Sequence, residues 1–224
     1  MISKKMKAIV VGANRGLGLA LCKKLKEEKF FVYALCRKSS KELHELDVKV
    51  IENVDVSDKK LIEDVAKLLQ NEKIDLLIHN AGIAIRDTLD SIEQKNLMRQ
   101  FEVNTLGPLW TTSSFLPLMK PYSKIIFISS RAGSIGDNPA PKNYGYRMSK
   151  AALNMLGVTL SHDLKKNHIA LGLLHPGFVK TDMTDYKGSI TSEESANSLF
   201  QIIEKINLNN SGRFWHFSGK ELPW

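Results

Sequence analysis

Two rhythms of apolar and polar positions take turns along this 224-residue chain. Short runs such as Ala8-Ile-Val-Val11, Ile74-Asp-Leu-Leu-Ile78 and Lys124-Ile-Ile-Phe-Ile128 are apolar almost throughout, as in strands buried on both faces. Between them apolar residues recur every three or four positions, as on a helix with one packed face. The pattern predicts strands near 7–12, 30–36, 48–53, 74–79, 124–129, 169–175 and 213–217, and helices near 17–28, 58–70, 93–118, 145–166 and 192–206. Such alternation builds βαβ units, because a parallel strand is reached only by a crossover long enough to hold a helix. The expected fold is α/β: a doubly wound, mostly parallel seven-stranded sheet with helices on both faces, one domain over residues 1–224. Right-handed crossovers and one reversal of strand order would bring the ends of the first, fourth and fifth strands to a single crevice.

Composition narrows the class. With 43% hydrophobic residues and no linker-like stretch, the chain can bury one large core. No run approaches the roughly 18–20 apolar residues of a membrane span, and Ser3-Lys-Lys-Met-Lys7 leads straight into the first strand, so a cytoplasmic protein without a membrane association is expected. Cys22 and Cys36 lack the number and spacing of a disulfide framework or a metal site, and six scattered histidines add no ligand pattern. The net charge is +8, but the lysines form small groups on separate elements (Lys4-Lys5, Lys23-Lys24, Lys59-Lys60, Lys165-Lys166), without interleaved arginine and aromatic residues. That argues against a dedicated nucleic-acid surface. An anionic small molecule is a better use for part of the charge.

Two segments carry chemistry. Gly12-Ala-Asn-Arg-Gly16-Leu-Gly18 lies between a buried strand and an amphipathic helix, where a tight turn and free helix amides make a phosphate site. Gly12 permits the reversal, Gly16 the approach of a pyrophosphate, and Gly18 close packing of helix on sheet. Tyr146 and Lys150 stand four apart at the start of a long helix and so share a face, where the ammonium is expected to lower the phenol's pKa toward proton-transfer range. Tyr144 has Met148 at its i+4 position and lacks such a partner. Ser129 and Ser130 close the strand before this helix; adjacent residues on a strand point oppositely, so only one can aim at Tyr146.

In order and spacing these segments, with Asn80-Ala-Gly82 and Phe101-Glu-Val-Asn104-Thr105, resemble the single-domain short-chain dehydrogenase/reductase family. His175-Pro-Gly177-Phe-Val-Lys-Thr181-Asp-Met183 and Gly212-Arg-Phe-Trp-His-Phe-Ser-Gly219 are most similar to C-factor and sniffer-like carbonyl reductases. The resemblance implies a Rossmann-type fold and a catalytic set of Asn104, Ser130, Tyr146 and Lys150, selecting Ser130 over Ser129. It further implies that Lys150 bonds the nicotinamide ribose, that the Asn104 carbonyl holds a water linking Lys150 to solvent, that Asp55 meets the adenine amino group, and that Thr181 meets the carboxamide. Asn14, Leu17, Val56, Ala81, Pro176 and Val179 complete the implied cofactor contacts. Val11 replaces the family's usual Thr, removing a hydroxyl that braces the turn. Residues 182–191 replace a longer substrate lid, which implies an open site.

Charge selects the cofactor. An NAD site places a carboxylate after the second strand, where it binds both ribose hydroxyls and repels a 2′-phosphate. This chain has Cys36 and then Arg37 there, and with Arg15 two guanidiniums could grip that phosphate, so NADP is expected rather than NAD. The expected reaction is hydride transfer between nicotinamide and a carbonyl or secondary alcohol. A dinucleotide-binding regulator of the C-factor type is the alternative; a sugar-nucleotide epimerase would need a C-terminal substrate domain. Apolar stripes on helices 93–118 and 145–166 (Leu97, Phe101, Leu109, Phe115, Leu153, Leu156 and Leu160) and the family habit of pairing these helices suggest a homodimer or homotetramer.

Overall fold

The structure, a computed structural model, describes residues 5–224; Ser3 and Lys4 of the N-terminal lysine-rich segment lie outside the described residues. Seven strands form one sheet: β1 (Lys7–Val11), β2 (Phe31–Leu35), β3 (Lys49–Ile51), β4 (Ile74–His79), β5 (Met119–Ile128), β6 (Ala170–His175) and β7 (Phe214–His216). Their order is β3-β2-β1-β4-β5-β6-β7, and every neighbouring pair is parallel. The order reverses between β1 and β4, which leaves a crevice above their C-terminal ends.

The helices are α1 (Gly16–Glu27), α2 (Lys41–His44), α3 (Lys59–Leu68), α4 (Gln94–Phe101), α5 (Gly107–Phe115), α6 (Tyr144–Leu164) and α7 (Ser192–Lys205). Alternation along each strand divides the core in two. Ala8 and Val10 face a layer with Leu21, Leu25, Leu199 and Ile203 of α1 and α7. Ile9 and Val11 face the opposite layer with Ile62, Phe115 and Leu153 of α3, α5 and α6. Phe115, Phe127 and Phe214 are fully buried, each contributing on the order of 1.5–3 kcal/mol. No helix among the described residues is long and apolar enough to cross a membrane.

Three local features differ from the pattern-based expectation. The helix expected over 93–118 is interrupted by a π turn at Glu102–Leu106, and a 3₁₀ turn, Leu116–Leu118, follows α5. Pro108 supplies the reason: it has no N–H to offer the Asn104 carbonyl four residues back, so an α-helical ladder cannot run through this point. Strand β5 starts at Met119, five residues before the apolar run at 124, across a register shift between Ile74 and Leu76 of β4. Polar and proline positions at 120–123, with Tyr122 at φ 66°, hid this half of the strand. The single turn α2 is capped by Ser40, whose hydroxyl accepts from the Leu43 amide at 3.2 Å; it is too short for a periodic signal.

Candidate active site

The turn after β1 is built by close approach. The Gly12 and Ala13 amides both donate to the Leu35 carbonyl, at 2.8 and 3.1 Å, tying the turn to β2. Gly12 has φ 81°, and a Cβ there would lie 2.7 Å from the Ala81 Cα. A Cβ on Gly18 would lie 2.0 Å from the Gly12 carbonyl oxygen, so only glycine allows the helix to begin under the turn. Gly16 has φ 52° and faces Thr181, whose Cγ2 would be 3.1 Å from an added Cβ. Val11 is buried in the core, and bracing comes from elsewhere: its carbonyl accepts from the Asn80 and Ala81 amides, and the Asn80 side chain donates to the Gly12 carbonyl at 2.8 Å.

These residues form one end of a cleft of about 730 Å³. Gly12, Asn14, Arg15, Gly16 and Leu17 line it from the turn, Arg37, Asp55 and Val56 from the ends of β2 and β3, and Asn80, Ala81 and Gly82 from the end of β4. Pro176, Gly177, Val179 and Thr181 line it beyond β6, and Ser130, Tyr146 and Lys150 line it from the end of β5 and the start of α6. Gly18 and Asn104 stand behind these surfaces. Thus the residues singled out from sequence converge on one place, although the chain separates them by up to 169 positions, Gly12 to Thr181.

Ser129 and Ser130 diverge as strand geometry requires. The Ser129 hydroxyl donates to Asn154 Oδ1 at 2.6 Å, inside the α6 layer, whereas the Ser130 hydroxyl is hydrogen-bonded to the Tyr146 phenol and accepts from the Ala132 amide at 3.1 Å. Lys150 is only 5% exposed, and its Nζ donates to the Ile128 carbonyl at 2.9 Å. Burial lowers its pKa from 10.5 to about 8. The expected lowering of the Tyr146 pKa is not what this geometry produces. Burial raises it, opposed by the Ser130 hydrogen bond; Lys150 Nζ lies over the ring, 5.8 Å from its centroid. His79, at the end of β4, is buried with its pKa lowered to about 3 by burial and by Lys150, so it is neutral.

Asn104 is fully buried and bridges two walls. Its Oδ1 accepts from the Ile83 amide at 2.8 Å, and its Nδ2 donates to the Ile83 carbonyl at 2.8 Å and to Ser149 Oγ at 3.0 Å. The loop after Asn80-Ala-Gly82 and helix α6 are thereby held in fixed relation. The π turn and Pro108 leave its main-chain carbonyl without the usual i+4 donor.

Several site residues escaped the sequence reading. Arg99 lines the cleft and holds Asp55: its Nη2 donates to Asp55 Oδ2 at 3.0 Å and its Nη1 to Ser57 Oγ at 2.6 Å. Burial raises the Asp55 pKa, but the Ser57 and Arg99 bonds outweigh it and the carboxyl lies below its ordinary value. Arg15, expected to face a phosphate, forms an ion pair with Asp182, and Arg86 pairs with Asp185. The 182–191 loop is short, and its ion pairs join it to the glycine turn through Arg15 and to the loop after β4 through Arg86. No motif announces these pairs, since each joins segments distant in sequence. Cys22 and Cys36 are free and buried, their pKa values pushed up to about 12 and about 11, chiefly by burial.

Comparison with known proteins agrees with this geometry. The signature of the short chain dehydrogenase family matches residues 6–191. The chain belongs to that family. It is 37% identical over 222 residues to the 1-hydroxy-2-glutathionyl-2-methyl-3-butene dehydrogenase of Rhodococcus sp. (strain AD45), covering 96% of this chain and 98% of that protein. It is also 37% identical over 154 residues to the C-signal of Myxococcus xanthus, covering 67% of this chain and 93% of that protein. Among solved structures, the NADPH-bound carbonyl reductase from chicken fatty liver superposes with a TM-score of 0.90 at 31% identity, covering 99% of this chain and all of that one.

Proposed function

We propose that this short-chain dehydrogenase/reductase uses NADP(H) to interconvert a carbonyl compound and a secondary alcohol. One observation carries the reading: Ser130, Tyr146 and Lys150 line the same cleft as the glycine turn. The cleft fits a dinucleotide. Gly12 and Gly18 leave the turn no room for side chains, α1 has no acidic residue in its first turn to compete for its amides, and Arg37 instead of a carboxylate follows Cys36 at the end of β2. Arg37 would hold the 2′-phosphate, with Arg15 joining it on exchanging its Asp182 partner for the phosphate; Asp55 would hold the adenine, Lys150 the ribose and Thr181 the carboxamide. When bound, the nicotinamide supplies or accepts the hydride.

The protein's own part is position and a proton. Ser130 donates a hydrogen bond that orients the substrate oxygen and stabilises its developing charge, and Tyr146 delivers the proton. Because burial keeps the Tyr146 pKa above its ordinary value, the phenol is protonated at neutral pH, the form reduction requires. Lys150 and the freed Asn104 carbonyl are placed to return that proton through water. The intact set favours turnover over a purely regulatory dinucleotide-binding role of the kind the C-signal relative suggests.

NADPH oxidation measured against a panel of ketones, aldehydes and quinones, together with NADP⁺ reduction by secondary and thioether alcohols, tests the reading; no turnover with any of them would count against it. NADPH should bind at least about tenfold more tightly than NADH, or about 1.4 kcal/mol. Arg37→Ala should weaken NADPH selectively, and equal affinities in the parent would sink the NADP assignment.

We also propose that the chain works in the cytoplasm as a homodimer or homotetramer. Phe115 and Leu153 of the apolar stripe are core residues, but Met98, Leu106 and Met155 on the same helical segments are 52%, 38% and 69% exposed. Light scattering at micromolar concentration should give at least twice the 25.2 kDa chain mass; a monomer mass would overturn the assignment.

A further inference from the structure

Helix α6, which carries Tyr146, begins without a cap of its own. Asn143 at its N-terminus is left-handed, with φ 57° and ψ 45°, and its side chain makes no capping bond. The first amides are met instead from 57 and 58 residues away: the Asp87 carboxylate accepts from the Tyr144 amide at 2.5 Å and from the Gly145 amide at 3.1 Å. The main-chain carbonyl of Asp87 accepts from the Asn143 amide at 3.0 Å. Asp87 is 6% exposed. An anion on the exposed amides of a helix N-terminus is favoured by both hydrogen bonding and the helix dipole.

The loop bearing Asp87 is itself held from behind. Gln100, fully buried on α4, accepts from the Ile85 amide at 2.9 Å, and Asn104 accepts from the Ile83 amide at 2.8 Å. Gly145 packs so closely on α4 that a Cβ there would lie 2.3 Å from Gln100 Nε2. Ile83 and Ala84 of this loop line the cleft. One carboxylate therefore joins the cleft wall to the first turn of α6, and Tyr146 is the residue directly after the second amide it binds.

We infer that Asp87 is a positioning residue for Tyr146: its carboxylate sets where the first turn of α6, and with it the phenol, stands relative to Ser130. The inference rests on the reading of Tyr146 as proton donor. A cap supplied by a neighbouring residue would stabilise the helix just as well without fixing it to the loop. Here the cap crosses the site, and proton transfer is sensitive to displacements on the order of 1 Å. Most of the residues expected to hold the dinucleotide, by contrast, lie on the β1 turn, at the ends of β2 to β4 and beyond β6, and the hydrogen bonds of Asp87 go to Asn143, Tyr144 and Gly145 instead.

The test compares Asp87→Ala and Asp87→Asn with the parent protein in turnover number, KM, NADPH affinity and melting temperature, using a carbonyl substrate found in the panel. Asp87→Ala is expected to lower kcat at least tenfold with KM and NADPH affinity within twofold. Asp87→Asn, which keeps one acceptor oxygen for the Tyr144 amide, is expected to recover part of that loss. Turnover within twofold of the parent in Asp87→Ala would overturn the inference, as would parallel losses of kcat, KM and NADPH affinity. If the alanine variant does not fold, the asparagine variant decides: a several-fold fall in kcat alone supports the inference, and parent-like kcat overturns it. Tyr146→Phe measured alongside separates the two ideas. Activity retained there removes the proton-donor reading, whereas an inactive Tyr146→Phe beside a parent-like Asp87→Ala removes only the role of Asp87.

Discussion

Tyr146→Phe should fold, bind NADPH like the parent and lose turnover by about 10²–10⁴-fold, the range expected when a positioned general acid is removed. The substitution deletes one oxygen and leaves the ring, so packing against Lys150 and the placement of α6 persist. Only the proton and the Ser130 bond to the phenol are lost. Isothermal titration with NADPH and steady-state rates on one accepted carbonyl provide the check; a variant retaining most of its activity would mean that another group delivers the proton. Because burial raises the phenol's pKa, reduction should persist through neutral pH, while alcohol oxidation, which needs the phenolate, should rise on the alkaline side.

Lys150→Met should separate stability from activity. Turnover and cofactor affinity should both fall, since the ammonium is placed to bond the ribose and to return the proton. Thermal stability of the cofactor-free protein should increase. The Lys150 charge is buried and donates to a main-chain carbonyl, that of Ile128, and its pKa is lowered from 10.5 to about 8. At 1.36 kcal/mol per unit, holding that charge in the folded state costs about 3 kcal/mol at pH 7. Leaving the Ile128 carbonyl without its donor takes back about 1 kcal/mol, so a gain of about 2 kcal/mol is expected, or several degrees in Tm. The pH dependence is specific. Below about pH 8 both folded and unfolded parent carry the charge and the full penalty stands; between about 8 and 10.5 the folded parent loses its proton first and the penalty fades. The Tm advantage of the variant should therefore shrink across that window, and a constant difference, or a destabilised variant at pH 7, would refute the account.

Much of the fold was legible because both periodicities record burial directly. Each of the seven strands overlaps the apolar run that predicts it, and the five predicted helical segments are helical in most of their length. The miss at 93–118 was readable in part: Pro108 forbids a regular α-helical ladder there, but the π turn that accommodates it packs against α6, a contact no local pattern announces. The early start of β5 was not legible, since Lys120, Pro121 and Tyr122 read as a loop until β4 lies alongside. The glycine turn, Tyr146 and Lys150 were legible because each is demanded by local chemistry: a positive φ, a close approach, an i+4 pair. Strand alternation left Ser129 and Ser130 open, and the family resemblance selected Ser130.

What the chain's sequence determined by itself is therefore the α/β order, the phosphate turn and the Tyr146–Lys150 pair, all encoded within a few residues of one another. Only the tertiary structure decided that Arg99 holds Asp55, that Asp182 and Asp185 clasp the 182–191 loop to Arg15 and Arg86, that Asp87 caps α6, and that the Tyr146 pKa rises rather than falls. The physical reason is common to these cases. Ion pairs, long-range caps and desolvation depend on distances and burial set by the packing of segments far apart in the chain, and no periodicity or spacing along the sequence carries that information.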